Sequence, residues 1–160
     1  MTSSDKSSDT LVLLGATATG KTALGVQLAR ALDGEIVSVD SRQVYYGLDI
    51  GSGKDLGEYS EGGEPVSYHL IDCVGLDHEF SVFEFQTCAF EAHAEILDRD
   101  HLPIIVGGTG LYLDAFLQDH RMVEVPEDPV IRSNLSDLSQ ENLIARLTKI
   151  KSDLHNTTDT

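Results

Sequence analysis

Residues 15–22 read Gly-Ala-Thr-Ala-Thr-Gly-Lys-Thr, and this stretch decides which fold the chain can adopt. It fits the phosphate-loop pattern G-x-x-x-x-G-K-[ST]. The apolar residues 11–14 run into it, and a helix-forming run over residues 22–32 leaves it. Strand, glycine loop and helix in this order predict an anion site, because loop and helix start turn backbone N–H groups towards one point. The alternative is a glycine-rich turn that happens to precede a helix.

Two side chains of the same stretch add chemistry that the backbone lacks. Lys21 supplies a mobile positive charge, and the Thr22 hydroxyl can bind a magnesium ion, so we predict Mg²⁺ as the cofactor. The predicted phosphate-binding residues are Gly15, Ala16, Thr17, Ala18, Thr19, Gly20, Lys21 and Thr22.

Length and composition favour a single globular domain. The chain has 160 residues, 41% of them hydrophobic, and a net charge of −16 from 11 basic and 27 acidic residues. This charge opposes a broad nucleic-acid surface, which needs clustered Lys and Arg. No apolar run approaches the roughly 20 residues that cross a bilayer, so no membrane association is expected.

The polar residues 1–9 lack the order of a signal peptide and predict a disordered tail. Cys73 and Cys88 have no metal or redox spacing, so they predict buried, reduced thiols in a cytoplasmic protein.

Short apolar strands alternate with amphipathic helices along the chain. The predicted strands lie near residues 10–14, 35–40, 66–72 and 102–106, and the predicted helices near residues 22–32, 82–99, 111–118, 132–138 and 139–154. This alternation predicts an α/β fold of the P-loop NTPase type, a mostly parallel sheet with helices on both faces.

The predicted core spans residues 10–125, and the prolines at 126 and 129 mark the start of a helical region over residues 126–160. Within the core, the Gly-rich and acidic residues 47–65 predict a long surface loop.

Local signals predict how two helices begin or end. Gly34, after Asp33, would end the first helix in the left-handed conformation. Ser81 and Glu84 have the spacing of a capping box at the start of the helix over residues 82–99. His93 lies on the apolar stripe of that helix, and we interpret it as a satisfied core histidine, not a ligand.

Three strand ends are predicted to meet at one edge of the sheet. They carry the phosphate loop, Asp40 and the pair Gly108-Thr109, and ligands of open α/β sheets bind outside such carboxyl ends. Alone, Asp40 could cap a turn and Thr109 could cap a helix. Together with the loop they predict a site for displacing a phosphate or diphosphate, where charge develops on oxygen atoms.

Five segments in order make a more specific pattern than the loop alone. They resemble the motif set of the tRNA dimethylallyltransferases (tRNA isopentenyltransferases), and the likeness extends from about residue 11 to the end of the chain. The segments are Gly15 to Thr22, Asp40-Ser41-Arg42-Gln43-Val44-Tyr45, Leu48-Asp49-Ile50-Gly51, Tyr68-His69-Leu70-Ile71-Asp72 and Val106-Gly107-Gly108-Thr109-Gly110-Leu111-Tyr112.

The resemblance implies transfer of a dimethylallyl group from dimethylallyl diphosphate to N6 of an adenosine beside a tRNA anticodon. By this likeness Asp40 is the general base that takes a proton from N6, and Lys21 neutralises the departing diphosphate. Thr22 would hold the magnesium ion, and Thr109 would orient the reacting groups.

The same likeness implies which residues meet the tRNA anticodon stem-loop, whose target base must leave its stack. They are Asp40, Ser41, Arg42, Gln43, Thr109 and Arg132.

The chain also departs from the family pattern. Ala16 and Thr19 replace the usual proline and serine, which should not change phosphate binding. The role of Lys54 is left open, because Gly51-Ser52-Gly53-Lys54-Asp55 replaces the commoner Gly-Thr-Ala-Lys-Pro. Family members run to about twice this length, so we expect a truncated chain; no protein partner is inferred, and a monomer is expected.

Two other functions stay open from the residues themselves. A small-molecule kinase of the phosphate-loop type would use ATP on a hydroxyl, although no clear Arg-rich lid follows the later helices. A non-catalytic nucleotide-binding remnant is the second alternative.

Overall fold

The computed structural model describes residues 9–117 and 122–150, and these fall into two units, one up to Val123 and one from Glu124. The strands of the first unit are β1 (Leu11–Leu14), β2 (Gly34–Val39), β3 (Tyr68–His69) and β4 (Leu102–Gly107). Its helices are α1 (Lys21–Leu32), α2 (Gly57–Ser60), α3 (Val82–Asp98) and α4 (Gly110–Leu117). The second unit contains α5 (Pro129–Ser136) and α6 (Gln140–Ile150).

The sheet has the strand order β1-β4-β2-β3, and every pair is parallel. Gly107, the last residue of β4, pairs with Leu14 of β1 on one side and with Val39 of β2 on the other. These three strands therefore end level, and the segments that follow them emerge at one edge. Only glycine fits here, since a Cβ on Gly107 would lie 2.6 Å from the Val39 carbonyl oxygen.

The core has two layers because alternate residues of each strand face opposite sides of the sheet. Val37 and Ile105 pack with Phe85 of α3 on one face. Ile36 and Ile104 pack on the other face with residues of α1 and α2. The predicted α/β fold, a parallel sheet with helices on both faces, is confirmed.

A buried carboxylate lies at the opposite edge of the sheet, where β2 and β4 begin. Glu35 accepts hydrogen bonds from Arg99 Nε and Nη2, both at 2.9 Å, and its side chain is only 5% exposed. His69 Nε2 and His101 Nδ1 each lie 2.7 Å from a Glu35 oxygen. The bonds from Arg99 above all, joined by those from the histidines and opposed by burial, lower the pKa of Glu35 to about 2.

Several predicted elements need correction. The third strand has two residues instead of seven, because Leu70 and Asp72 adopt φ of +62° and +53° and leave the extended conformation. Asp33, not Gly34, is the left-handed residue after α1, with φ of +53°. Gly34 instead belongs to β2, where a Cβ would lie 2.8 Å from the Leu102 carbonyl oxygen.

Further corrections concern the long loop and a thiol. The predicted loop over residues 47–65 contains the short helix α2. Cys73 was predicted to be buried and is exposed, while Cys88 is partly buried. The capping box is confirmed, since the Ser81 side chain accepts from the Glu84 N–H and the Glu84 carboxylate accepts from the Ser81 N–H. His93 is hydrogen-bonded as predicted, 2.8 Å from Thr10 Oγ1, but it is partly buried and not a fully buried core residue.

The second unit begins its first helix earlier than predicted. The carboxylate of Asp128 accepts from the Val130 and Ile131 N–H groups, and Pro129 takes the first turn, where its missing N–H costs nothing. The helix therefore starts at Pro129 and not at Arg132. No residue of α5 or α6 is buried.

Parts of the predictions lie outside the described residues, namely residues 1–8 of the expected tail, Gln118, and residues 151–154 of the last predicted helix. Among the helices that are described, none has the length and apolar character needed to span a bilayer.

Candidate active site

A cavity of about 520 Å³ opens at the edge where β1, β2 and β4 end. Its volume falls in the range of small-molecule sites. It brings the four predicted catalytic residues, Lys21, Thr22, Asp40 and Thr109, into one lining from three separate stretches of chain. The lining comprises residues 17–22, Ser38, residues 40–43, Ser52, Gly53, Asp55, Glu58, Tyr59 and residues 106–109.

The phosphate loop connects β1 to α1 and turns through two left-handed residues. Gly20, which precedes α1, has φ of +78°, and Ala18 has φ of +62°. Glycine adopts this conformation freely but alanine does not, so Ala18 is a strained point of the loop. The Lys21 ammonium donates a 2.6 Å hydrogen bond to the Ala16 carbonyl. Because an ammonium has three donors, this bond leaves it able to bind an anion at the loop.

The other predicted phosphate-site residues either line the cavity or shape the loop. Thr17, Ala18, Thr19 and Gly20 are lining residues. The Thr19 hydroxyl also donates a 2.8 Å bond to the Ala16 carbonyl, which closes the loop on itself. Gly15 and Ala16 lie outside the lining and contribute to the loop's backbone.

Asp40 directly follows β2, in a turn tied to the neighbouring strand end. Its Oδ1 accepts a 2.9 Å bond from the Arg42 N–H and lies 3.8 Å from the Arg42 Nε. The Ser41 N–H donates to Thr109 Oγ1 at 3.3 Å, and the Thr109 N–H donates to the Val39 carbonyl at 3.2 Å. The Asp40 side chain is 23% exposed, so it is held in place yet reachable from the cavity.

Both polar atoms of the Gln43 side-chain amide make hydrogen bonds. Its Oε1 accepts a 2.8 Å bond from the Ser38 hydroxyl, and its Nε2 donates to the Gly53 carbonyl at 3.1 Å. Gln43 therefore joins the end of β2 to the wall of the cavity that precedes α2. Its predicted contact with tRNA stays a prediction.

Glu58 of α2 lines the cavity and was not identified from the sequence. Its Oε2 is buried and has no hydrogen-bond partner, and it is the one buried side-chain oxygen or nitrogen of the described residues in that position. Burial, followed by the negative charges of Asp55 and Glu61, raises the pKa of Glu58. A single helical turn inside a Gly-rich stretch has no periodicity that could have revealed it.

The residues present fit a magnesium ion that would take some of its ligands from the protein and others from a diphosphate. Thr22 lines the cavity beside Lys21, and Asp40 lines it as well. In the described parts of the chain, no three His, Cys, Asp or Glu side chains are grouped to hold a metal by themselves. Mg²⁺ commonly takes one or two protein ligands and completes its shell with waters and substrate phosphates.

Arg132, the remaining predicted tRNA contact, belongs to the second unit. It lies in α5, where its guanidinium pairs with the carboxylate of Glu127. Its role stays a prediction.

Proteins of known sequence resemble the chain over nearly all of its length. tRNA dimethylallyltransferase 2 of Syntrophotalea carbinolica is 57% identical over 149 residues, which is 93% of this chain and 49% of that protein. tRNA dimethylallyltransferase 1 of Geotalea uraniireducens is 56% identical over 93% of this chain and 48% of its own length. The chain thus spans about half the length of the curated relatives it matches.

Solved structures show the same fold. The full-length tRNA isopentenylpyrophosphate transferase of Bacillus halodurans is 37% identical, with a TM-score of 0.68 over 91% of this chain and 48% of that one. A eukaryotic dimethylallyltransferase, described as acting on tRNA, is 29% identical, with a TM-score of 0.76 over 90% of this chain and 36% of that one.

Family models agree with these matches. A model described as isopentenyl transferase matches residues 8–67, which include the phosphate loop and Asp40. A model described as IPP transferase matches residues 43–160, well over half of the sequence. The chain therefore belongs to the IPP transferase family.

Proposed function

We propose that this chain takes part in transferring a dimethylallyl group from dimethylallyl diphosphate to N6 of an adenosine adjacent to the anticodon of tRNA. The observation that carries the proposal is the shared cavity, where Lys21 of the phosphate loop and the Asp40 carboxylate after β2 line one space. The family membership supports the reaction class, since the relatives named above are tRNA dimethylallyltransferases.

The reaction needs a group that holds a diphosphate and lets it leave. The backbone N–H groups of the phosphate loop and the start of α1 would bind its oxygens. Lys21 would balance the negative charge that grows on the diphosphate as its bond to the prenyl carbon breaks. The Thr22 hydroxyl would hold Mg²⁺, which when bound supplies further positive charge at the diphosphate.

The acceptor needs a base. As N6 attacks the first carbon of the prenyl group, the C–O bond to the diphosphate breaks and N6 becomes positively charged. Asp40 would then take the proton from N6, which leaves a neutral secondary amine. The Arg42 N–H and the Thr109 hydroxyl hold the turn that carries Asp40, so the carboxylate need not reorganise during the step.

An assay with two substrates tests the proposal. The chain is incubated with labelled dimethylallyl diphosphate, Mg²⁺ and an anticodon stem-loop, with and without the C-terminal half of the Syntrophotalea relative. We expect label on the target adenosine, and none when inosine, which lacks the N6 amine, replaces it. ATP with candidate metabolites forms the second arm. If ATP is consumed while no prenyl group reaches RNA, with or without the added C-terminal half, a kinase would be favoured instead. The expected monomeric state and cytoplasmic location remain part of the proposal.

A further inference from the structure

The role of Lys54 is left open by the sequence, and its neighbours in the chain form part of the cavity wall. It lies between Gly53 and Asp55, which both line the cavity, but is not itself a lining residue. Its side chain has an exposed fraction of 0%. Lys54 could be a second phosphate-binding lysine, or it could form only an ion pair inside the protein.

The ammonium of Lys54 is fully engaged within the protein. It lies 2.5 Å from Asp72 Oδ1, 2.7 Å from the Tyr45 carbonyl oxygen and 3.4 Å from Asp49 Oδ1. An ammonium has three N–H donors, and these three acceptors account for all of them. Burial opposes the charge, but the bonds to Asp72 and Asp49 outweigh it and raise the pKa of Lys54. Nothing is left with which Lys54 could bind a diphosphate.

Asp72 connects Lys54 to the turn that carries the candidate base. The Asp72 N–H donates a 2.9 Å bond to the Gln43 carbonyl, while its carboxylate holds Lys54. The Gln43 N–H in turn donates to the Asp40 carbonyl at 3.3 Å. One continuous chain of bonds therefore runs from Lys54 through Asp72 and Gln43 to Asp40.

The same set of bonds, here called the Lys54 clamp, also holds the cavity wall at residues 52–55. Gln43 Nε2 donates to the Gly53 carbonyl, one residue before Lys54. Gly53 has φ of +69° and Gly51 has φ of +83°, so this wall turns through left-handed residues and has no strand or helix of its own to stiffen it. Gln43 and Lys54 tie it to the neighbouring segments, while the Ser52 hydroxyl donates to the Leu48 carbonyl within the wall itself.

We propose that Lys54 is a positioning residue of the candidate active site: its ion pair with Asp72 holds the wall at residues 52–55 and the turn of Asp40 in register, and it does not bind the diphosphate. The binding and catalytic readouts below rest on the proposed function, and the hydrogen-exchange readout does not. Removing one member of a buried ion pair leaves an uncompensated charge, so variants must remove both charges or only weaken the pair.

Three measurements on the whole chain test this. The double variant Lys54→Met/Asp72→Asn is compared with wild type, with Lys21→Ala and with Lys149→Met, which changes an exposed lysine of α6. Calorimetry with dimethylallyl diphosphate should give a dissociation constant within about threefold of wild type for the double variant, as for Lys149→Met. Lys21→Ala should weaken binding roughly tenfold or more, the loss of a charge-assisted hydrogen bond.

Hydrogen exchange and turnover supply the positive signal. The amides of Gln43, Asp72 and Cys73 should exchange at least about tenfold faster in the double variant, with the amides of β4 unchanged. Prenyl transfer at saturating substrates should fall about tenfold or more, because a misplaced base lowers kcat without weakening substrate binding. If the double variant does not give a folded circular-dichroism spectrum, Asp72→Glu, which keeps both charges and only displaces the carboxylate, takes its place with the same expectations.

Two results would overturn the proposal. Loss of diphosphate affinity comparable to that of Lys21→Ala would make Lys54 a ligand, and unchanged exchange in residues 43 and 72–73 would remove the clamp. A wild-type chain that neither binds dimethylallyl diphosphate nor transfers its prenyl group would count against the proposed function alone, because the exchange measurement still decides whether Lys54 is a positioning residue.

Discussion

At the scale of single residues, Lys21 is the side chain on which the proposed diphosphate site depends most directly. Its ammonium already reaches across the phosphate loop to the Ala16 carbonyl. We expect Lys21→Ala to weaken dimethylallyl diphosphate binding by roughly 10- to 100-fold, the loss of a charge-assisted hydrogen bond. Calorimetric titration measures this, with Lys149→Ala as the matched control. Equal affinities in the two variants would exclude Lys21 from the diphosphate site.

The folded protein disfavours the negative charge of Glu58 relative to the unfolded chain. Its raised pKa, caused first by burial, means that the folded state binds the proton of Glu58 more tightly than the unfolded chain does. Stability from this group is therefore present below the ordinary glutamate pKa and is lost as the pH rises through the higher folded value. We expect Glu58→Gln to raise the free energy of unfolding at pH 7 by about 0.5–1 kcal/mol.

Urea unfolding at pH 7 and pH 4 checks this, and the gain should shrink at pH 4. Glu91→Gln, a change at an exposed position of α3, serves as the control and should have little effect. A destabilised Glu58→Gln protein would mean that the carboxylate has a partner in solution.

Sequence patterns could place some of these residues and not others. Asp40 and Thr109 were predicted to lie together because each comes within a few residues of the end of a strand in a parallel sheet. The clamp of Lys54 was not predictable, because its acceptors at Tyr45 and Asp72 come from segments without periodic structure. Such contacts depend on how loops cross, which no local spacing encodes.

At the scale of elements, the amino end of β2 depends on one buried carboxylate. Glu35 binds Arg99, His69 and His101, and its folded pKa of about 2 lies below the ordinary 4.5. Its contribution is therefore present above pH 4.5 and is lost as the pH falls towards 2. After allowance for screening of the half-exposed Arg99, it amounts to about 2–3 kcal/mol.

We expect Glu35→Gln to lower the free energy of unfolding at pH 7 and to flatten its fall between pH 5 and pH 2.5. Denaturant titrations at several pH values measure both effects. Glu91→Gln, at an exposed site, should leave the wild-type pH dependence intact. A Glu35→Gln protein with the wild-type acid transition would show that other groups control it.

The start of α3 offers a second test at this scale. Ser81 and Glu84 cap each other's backbone N–H groups, as their spacing predicted. We expect Ser81→Ala to lower the free energy of unfolding by about 1 kcal/mol, because an N–H group of the first turn loses its acceptor. Thermal unfolding followed by circular dichroism measures it. Ser136→Ala is the comparison, because Ser136 lies at the end of α5 and does not cap the start of a helix.

Element boundaries were predictable where chemistry is local and failed where tertiary contacts decide. The capping box located the start of α3. By contrast, β3 was predicted over residues 66–72 from its apolar character, but left-handed backbone at Leu70 and Asp72 ends it early. The bonds of Asp72 to Gln43 and Lys54, both outside the strand, accompany that conformation.

At the scale of the whole molecule, the alternation of strands and helices was sufficient to predict a parallel α/β fold. The strand order was not predictable, since β4 enters between β1 and β2 although it comes last in the chain. That insertion places Gly107 beside both neighbouring strands and creates the common edge of the cavity. The net charge of −16 belongs to a chain that spans about half the length of its relatives.

We propose that one cavity holds a prenyl diphosphate and a base for the acceptor amine. The decisive experiment is a single-turnover assay of labelled prenyl transfer to the anticodon stem-loop, comparing wild type with Asp40→Asn. We expect a rate at least about 100-fold lower in the variant, because a general base is lost, with diphosphate affinity almost unchanged. Turnover of Asp40→Asn at the wild-type rate would contradict it.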